Sequence, residues 1–275
     1  MYLQQMERMN MNEIKALLVI SFGTSHKDTR VRTIEAIEED LKKEFPDRVF
    51  YRAWTSAFLR KKVQQQEGCE VWSVQQAMER ICNDGISDLL VQPTHMLCGK
   101  EHEDARREIL VYQDRFSELA MGRPLMADRQ DVRVFANVLE SLIPVSPDQE
   151  VVAWMGHGSP QSEMNVYDLL NRQFLQDGHP EICVGTVEWE PGITPVLEQI
   201  RLRAPRRVIL SPMLVVAGDH AKNDMAGDDP DSWRNQIAAE HTEVECLVKG
   251  LGEYPEVRKL YLDHARCPEL IVPGK

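Results

Sequence analysis

The sequence predicts an α/β protein with two similar, Rossmann-like domains, each a doubly wound parallel sheet, that face a central cleft. Three observations support this fold class. Short apolar segments alternate with segments of helical periodicity along most of the chain, as in parallel sheets covered by helices. Two prolines and a serine within residues 144–147 interrupt the alternation near its middle. Two short motifs of the first half also recur at corresponding places in the second half.

Composition limits the classes of protein that are possible. The 275 residues suffice for one large domain or two of ordinary size, and the formal net charge of −12 argues against bulk binding to nucleic acid or anionic membrane. The six cysteines contain no C-x-x-C pair, which argues against a structural zinc or iron–sulfur site. Residues 1–15 lack the apolar core of a signal peptide, and no apolar run approaches the roughly 20 residues of a membrane span. We therefore expect a soluble cytoplasmic protein.

In the first half, each predicted strand is a short apolar run and each predicted helix carries an apolar stripe. The run at residues 16–20 predicts the first strand, and the following helix places Ile34, Ile37 and Leu41 at helical spacing. The next predicted elements are a strand at 48–51, helices at 56–66 and 71–82, a strand at 88–92, a helical stripe along 105–119, a short edge strand at 122–127 and a connecting helix at 128–142.

The second half repeats this alternation. A buried strand at 151–155 ends at a histidine between two glycines, and a helix follows from residue 162. Further strands are predicted at 181–188, 207–213 and 244–248, and helices at 195–203, 233–240 and 255–265. We accordingly expect an N-terminal extension at 1–13, an N-terminal domain at 14–143 and a C-terminal domain at 148–275.

The two halves share short motifs that suggest an internal repeat. Residues 18–25 align with 152–159, and residues 90–93 align with 209–212. On this register Gly23 corresponds to His157, and Glu101 corresponds to His220. The match is short, and βα loops repeat glycine and proline for generic reasons. If the halves share descent, homologous loops line one cleft and Glu101 approaches the two histidines from the opposite wall.

Three candidate metal ligands follow strands of the second half at nearly equal intervals. Glu188 lies 31 residues after His157, and His220 lies 32 residues after Glu188. A βαβ unit takes roughly 30 residues, so these positions can meet at the carboxyl edge of one sheet, where open α/β sheets bind ligands. Two imidazoles and a carboxylate suit a first-row divalent metal such as Co²⁺, Fe²⁺, Ni²⁺ or Zn²⁺, whereas Mg²⁺ prefers oxygen donors.

Each candidate also has a purely structural interpretation. In that interpretation His157 hydrogen-bonds its own turn, and Glu188 is an exposed carboxylate at a strand end. His220 is a neighbour of a helix cap, and Glu101 belongs to a solvated charged run. The shared spacing favours the functional interpretation, because four accidents would otherwise have to meet in one cleft.

Other residues of the loops carry weaker signals. His95 is expected to be a hydrogen-bonded loop histidine, and Cys98 a small buried hydrophobe. Ser159 follows a histidine and a glycine, but the G-x-S-x-G elbow of serine hydrolases is absent. Residues 23–25 lack the G-K-[ST] ending of a P-loop, so no nucleotide site is predicted.

Four motifs resemble a known family. They are Ser-Phe-Gly-Thr-Ser at 21–25, Gly-His-Gly at 156–158, Val-Gly-Thr-Val-Glu at 184–188 and Ala-Gly-Asp-His-Ala-Lys-Asn-Asp-Met at 217–225. With them, residues 14–266 resemble the anaerobic cobalt chelatases of the CbiK type, the sirohydrochlorin cobaltochelatases, within the class II chelatases that include ferrochelatase. The chain departs from that pattern at His26, where tyrosine is more usual, and at Trp189-Glu190-Pro191.

The resemblance implies a chelatase-like fold and an activity. It implies ATP-independent insertion of Co²⁺ into sirohydrochlorin in anaerobic cobalamin biosynthesis, with His157, Glu188 and His220 as metal ligands. Glu101 is the acidic residue beside them, and His157 or Glu101 is the expected acceptor of the pyrrole protons. The catalytic residues implied by the resemblance are His157, Glu101 and His220. The expected substrate-binding residues are Gly23, Thr24, Ser25, His26, His95 and Lys100.

The resemblance also defines partners and alternatives. The tetrapyrrole carries eight carboxylates, and the cations that flank the predicted cleft and could bind them are Lys27, Arg30, Lys100 and Lys222. Fe²⁺ or Ni²⁺ could replace Co²⁺, and the family resemblance implies a homo-oligomer. Two alternatives stay open: a ferrochelatase acting on sirohydrochlorin or protoporphyrin, and a non-catalytic carrier of metal or tetrapyrrole on the same fold.

Overall fold

The computed structural model describes residues 14–159 and 165–272, and it confirms the α/β class. The predicted extension at 1–13 lies outside the described residues. Within the described ranges the strands are β1 (Lys15–Ser21), β2 (Val49–Trp54), β3 (Asp88–Pro93), β4 (Glu118–Met121), β5 (Glu150–Gly156), β6 (Ile182–Thr186), β7 (Arg207–Pro212), β8 (Glu243–Cys246) and β9 (Glu269–Val272).

Helices connect these strands. They are α1 (Lys27–Arg32), α2 (Ile34–Glu44), α3 (Ala57–Glu67), α4 (Val74–Asn83), α5 (Lys100–Leu110), α6 (Arg129–Leu142), α7 (Val166–Asp177), α8 (Thr194–Arg203), α9 (Trp233–Ala238) and α10 (Pro255–Arg266). Of the helices in the described part of the chain, none combines the length and apolar character that a membrane span requires.

The strands form two sheets that wind in the same order. The first sheet has the order β2-β1-β3-β4-β9 and the second has β6-β5-β7-β8. All neighbours are parallel except β9, which runs antiparallel to β4. In each sheet the first strand of the lobe lies between the second and the third, with the fourth beyond the third. The common order supports the predicted repeat of the two halves.

The strand register corrects the predicted alignment of the repeat by one residue. Ile20 pairs with Pro93 in the first sheet, whereas Met155 pairs with Pro212 in the second. With the two prolines equivalent, Ile20 corresponds to Met155, and the sequence alignment had placed Ser21 there.

The correction changes which residues correspond in the loops after β1 and β5, the first strand of each lobe. Gly23 corresponds to Gly158, not to His157, and both glycines have positive φ, 102° and 95°. Phe22 is therefore the counterpart of His157. The predicted pairing of Gly23 with His157 was wrong because the alignment matched residue letters rather than left-handed backbone positions. The pairing of Glu101 with His220 keeps its register, because each lies eight residues after its proline.

Strand residues alternate between two buried faces, as in parallel sheets covered by helices. In β1, Leu17 belongs to a core cluster that both lobes share, whereas Leu18 belongs to the outer core of the first lobe. In β5, Trp154 joins the shared cluster and Ala153 the outer core of the second lobe. One face of each sheet therefore contributes to a common interlobe core.

The end of the chain returns to the first lobe. In β9, Glu269 pairs with Met121 and Val272 with Leu119 of β4, so the last strand completes the first sheet. The predicted C-terminal domain at 148–275 placed this strand in the second lobe. Its pairing with β4 covers what would otherwise be an exposed edge of the first sheet. We propose a division into one lobe of residues 14–143 with 255–272 and a second lobe of 150–253.

One predicted helix and one predicted strand are displaced. The apolar stripe along 105–119 predicts a helix, but α5 ends at Leu110, and β4 replaces the edge strand predicted at 122–127. A short 3₁₀ turn at Gln113–Arg115 separates α5 from β4. Leu119 and Ala120 pair with Leu89 and Leu90 of β3, and this buried sheet position outweighs the helical spacing.

Candidate metal centre and cleft

The three predicted metal ligands converge at the carboxyl edge of the second sheet. His157 follows β5 directly, Glu188 follows β6 by two residues, and His220 lies eight residues after the end of β7. One donor atom of each lies within 4.8 Å of the others. Nε2 of His157 is 3.9 Å from Oε2 of Glu188, and Nε2 of His220 is 3.9 Å from Oε1 of the same carboxylate. A divalent cation with bonds of about 2.0–2.2 Å fits between them after small side-chain adjustments.

The other ring nitrogens of both histidines are engaged. Nδ1 of His220 lies 2.7 Å from Oδ2 of Asp224, and Nδ1 of His157 lies 3.1 Å from the Gly158 carbonyl oxygen. In the tautomer that donates from Nδ1, the Nε2 lone pairs face Glu188 and are available to a metal. The rings are nearly perpendicular, with an interplanar angle of 82° and centroids 5.0 Å apart. Sequence reasoning did not single out Asp224.

The backbone after β5 and β6 explains why His157 and Glu188 are close. The Glu188 N–H donates to the His157 carbonyl over 2.9 Å, which extends the strand pairing into the loops. A Cβ on Gly158 would lie 1.8 Å from the Glu188 carbonyl oxygen, so only glycine fits this positive-φ position. The Gly158 N–H donates to the buried hydroxyl of Tyr167 over 2.9 Å. Tyr167 therefore holds the ligand loop, a role that the sequence analysis missed.

A polar contact across the cleft joins the loop of His220 to the first lobe. His220 precedes a π-helical turn at Ala221–Met225, a geometry frequent at functional sites. Nε2 of His26 lies 2.9 Å from Oδ1 of Asp219, and Nζ of Lys222 lies 3.2 Å from Nδ1 of His26. The bond from His26 lowers the pKa of Asp219 below its ordinary value. His26 thus links the two lobes beside the ligand cluster.

A cavity of about 730 Å³ between the lobes joins the predicted site residues. Both histidine ligands line it, together with Glu101 and all six residues predicted to bind substrate, namely Gly23, Thr24, Ser25, His26, His95 and Lys100. Its wall is mainly apolar, and three large side chains that line it, Phe22, Phe58 and Trp189, are 49%, 71% and 57% exposed. An open apolar cleft of this kind suits a flat macrocycle.

Two expectations for the loop after β3 are wrong. His95 was expected to be hydrogen-bonded, yet neither of its ring nitrogens has a hydrogen-bond partner among the described residues, and both are buried. Burial and the neighbouring His102 lower the pKa of His95 to about 4, so its imidazole is neutral at neutral pH. Cys98 was expected to be buried, yet it is exposed. The loop turns outward at Cys98 because α5 starts two residues later.

The predicted cations differ in their availability to a polycarboxylate. Arg30 is buried, and its guanidinium donates two hydrogen bonds to Glu67, over 2.9 and 2.7 Å, which removes it as a substrate-binding cation. The Lys100 ammonium contacts Asp104, although the residue lines the cavity. Lys222 contacts His26 as described above.

Two doubly wound lobes with a His–Glu–His cluster in an apolar cleft define a class of protein, the metal chelatases with the class II chelatase fold. SirB from Bacillus subtilis, solved with Fe³⁺, shares this fold with a TM-score of 0.62 at 14% identity, over 92% of this chain and 94% of that one. The family model for cobalt chelatase (CbiK) matches residues 15–267. This chain belongs to that family.

Curated relatives carry the name of one activity. The sirohydrochlorin cobaltochelatase of Salmonella typhimurium is 35% identical over 91% of this chain and 94% of its own length. The sirohydrochlorin cobaltochelatase CbiKC of Nitratidesulfovibrio vulgaris is 28% identical over 91% of this chain and 89% of its own length. The chain is therefore a metal chelatase with Co²⁺ as its substrate metal.

Proposed function

We propose that this chain inserts Co²⁺ into sirohydrochlorin without ATP. The observation that carries the proposal is the convergence of His157, Glu188 and His220 beside an apolar cleft large enough for part of a macrocycle. Membership of the cobalt chelatase family and the names of the two curated relatives support the same reaction. They favour it over a ferrochelatase and over a non-catalytic carrier.

The geometry suggests how the residues share the work. Nε2 of His157 and of His220 hold the substrate Co²⁺ against one face of the ring, and Glu188 offsets part of its charge. The cleft wall displaces water from the metal and the ring. Insertion releases two pyrrole protons, and His157 or Glu101 accepts them as a general base.

Substitution of the histidines tests this function. We expect His157→Ala and His220→Ala each to abolish insertion, measured under anaerobic conditions as the change in the Soret absorbance of sirohydrochlorin after Co²⁺ is added. His179→Ala is a matched control, because His179 pairs with Glu181 and Glu140 rather than lining the cleft. Insertion at the wild-type rate by either ligand variant would reject the assignment, and binding of both substrates by the wild type without a spectral change would indicate a carrier.

The metal selectivity and the assembly extend the proposal. Two imidazoles and a carboxylate do not by themselves distinguish Co²⁺ from Fe²⁺ or Ni²⁺, so we propose that these ions are also accepted, at rates set by geometry and supply. Insertion rates measured with each ion at equal free concentration test this. We also propose, from the family resemblance, a cytoplasmic homo-oligomer, which light scattering and cell fractionation would test.

A further inference from the structure

A second cluster of mixed donors lies at the start of α5, after the loop that follows β3. Cys98, His102 and Glu103 each offer one donor atom, and these atoms lie within 4.8 Å of one another. The cluster shares no residue with the His–Glu–His site. Cys98 and Glu103 line a surface cavity of about 420 Å³, whereas His102 lines the central cleft, and Gly99 and Lys100 line both.

The backbone holds the three donors in place. Cys98 precedes the N-cap residue Gly99, so His102 and Glu103 follow on the first turn of α5, where residues four apart share a face. The Glu103 N–H donates to the Gly99 carbonyl over 3.0 Å. The Met126 N–H donates to the Met96 carbonyl over 2.8 Å, which fixes the preceding loop to the segment before α6.

The donor set is typical of a transition-metal site. His102 is 6% exposed, and its Nδ1 lies 3.2 Å from Oε1 of Glu103, so the imidazole is already turned toward the carboxylate. A thiolate and an imidazole select borderline divalent ions such as Co²⁺ and Zn²⁺, whereas Mg²⁺ and Ca²⁺ prefer oxygen donors alone. Three protein ligands also leave an open coordination position.

The local charges favour a cation. Although Cys98 is exposed, partial desolvation of its thiol raises the pKa, and the nearby carboxylates of Glu103, Asp131 and Asp128 raise it further. The same negative field that disfavours an isolated thiolate attracts a divalent ion. The positive charge of the ion then stabilises the thiolate. Arg106 opposes this field, but its guanidinium lies 2.9 Å from the carboxylate of Glu269.

We propose that Cys98, His102 and Glu103 form a second metal site, which binds one borderline divalent transition-metal ion beside the chelation cleft. The Cys98 thiol loses its proton to solvent on binding, and the ion is held by thiolate, imidazole and carboxylate without redox change. None of its ligands belongs to the His157, Glu188 and His220 cluster, but His102 also lines the central cleft.

Anaerobic titration with Co²⁺ tests the proposal, because thiolate ligation produces a charge-transfer band in the near ultraviolet that imidazole and carboxylate ligands do not. We expect the double variant His157→Ala/His220→Ala to develop this band saturably with one bound Co²⁺, and Zn²⁺ to displace it. Cys98→Ser on the same background should lose the band. Cys69→Ser is the matched control, since Cys69 is another exposed cysteine, and it should keep the band.

A second variant probes the carboxylate. Glu103→Gln should keep the band and weaken Co²⁺ binding at least about 10-fold, because even indirect partners of a metal contribute about 10- to 100-fold. A band that survives in Cys98→Ser, or its absence from the double variant, would overturn the proposal. Neither result would bear on insertion activity, which the Soret assay reports separately.

Discussion

The imidazoles of the two proposed metal ligands are oriented by different partners. Nδ1 of His220 lies 2.7 Å from the Asp224 carboxylate, whereas Nδ1 of His157 lies 3.1 Å from the neutral carbonyl of Gly158. A carboxylate partner fixes the tautomer and increases the basicity of a histidine ligand more than a carbonyl does. His220 is therefore the more firmly held ligand. His157, with the weaker second contact, is the better candidate to release the metal and accept a proton.

Substitution of Asp224 should weaken the metal site without disturbing the fold. We expect Asp224→Asn to lower Co²⁺ affinity about 10- to 100-fold, because the amide cannot provide the carboxylate charge that orients His220. Calorimetric titration measures this affinity, and the KM for Co²⁺ should rise in parallel. Asp228→Asn is the control, because its carboxylate lies nearby in the chain and pairs with Arg234 instead. Equal Co²⁺ affinity in the wild type and in the Asp224→Asn variant would remove Asp224 from the site.

The sequence indicates the proposed ligands better than the residues that support them. His157, Glu188 and His220 could be predicted because each follows a strand and the spacing matches βαβ units. Asp224 and Tyr167 could not be assigned roles. An acid four residues after a histidine is common on any helical turn, and a tyrosine among apolar helix residues predicts only core packing. Their roles depend on contacts between loops, which no local pattern encodes.

At the scale of the element, the turn after β5 is the point on which the metal cluster depends. Gly158 allows this turn to run against the backbone of Glu188, and its N–H bonds to Tyr167. The proposed ligands His157 and Glu188 are therefore positioned mainly by contacts of the backbone. A change at this turn should move the carboxylate relative to the imidazole.

Gly158→Ala tests the close approach of the two loops. The added Cβ would meet the Glu188 carbonyl oxygen at 1.8 Å, so we expect a loss of unfolding free energy larger than the roughly 1–2 kcal/mol of a left-handed alanine, together with weaker Co²⁺ binding. Gly178→Ala separates the two causes, because Gly178 has φ of 86° with nothing within 4 Å of an added Cβ. Thermal unfolding and Co²⁺ titration measure both effects. Similar losses in the two variants would contradict the role of the contact.

The elements themselves were predictable where one periodicity dominates. The buried strands β1, β3, β5 and β7 are apolar runs that end at loop signals, and the structure confirms them. The segment 105–119 was not predictable, because its apolar residues satisfy helical spacing while the last of them, Leu119, belongs to β4. The repeat register failed for a related reason, since residue letters do not record which glycine has positive φ.

At the scale of the whole molecule, an acidic protein encloses a cleft that contains few fixed cations. Of the described residues that line the central cavity, Lys100 is the one lysine or arginine, and its ammonium contacts Asp104. Imidazole and hydroxyl side chains and backbone N–H groups of the loops are the remaining donors. The apolar wall can therefore bind the ring of the proposed substrate, sirohydrochlorin, whose eight carboxylates would then extend toward the rim and solvent. This arrangement reconciles the net charge of −12 with a polycarboxylate substrate.

The path of the chain explains why the domain limits were hard to predict. β9 is a four-residue strand, Glu-Leu-Ile-Val, whose sequence does not reveal that it pairs with β4, which lies in the first half of the chain. The preceding helix α10 contributes Tyr261 to the interlobe core, and its hydroxyl donates to the Thr94 carbonyl over 3.0 Å. The C-terminal segment thus completes the first lobe and contributes to the interlobe core, and groups that anchor it should affect the stability of the whole molecule.

Asp131 is such an anchor. Its buried carboxylate lies 2.9 Å from Nη2 of Arg123 and 3.4 Å from Nε2 of His264 on α10. Burial alone would raise the pKa of Asp131, but the hydrogen bonds from His264 and Arg123 outweigh it and hold the pKa below the ordinary 3.8. A lowered folded pKa contributes stability that is fully present above the unfolded pKa. That contribution is lost as the pH falls through the folded value.

Asp131→Asn should therefore destabilise the protein at neutral pH and reduce its sensitivity to acid. We expect a loss of about 1–3 kcal/mol of unfolding free energy at pH 7, because Arg123 and His264 lose a charged acceptor in a buried place. Below about pH 4 the difference should shrink, since the carboxylate takes up a proton first in the unfolded chain and, at still lower pH, in the folded protein. Urea unfolding across this range measures both effects, with the exposed Asp114→Asn as control. A constant difference between wild type and variant at every pH would show that Asp131 acts through packing, and that its charge does not hold α10 against the first lobe.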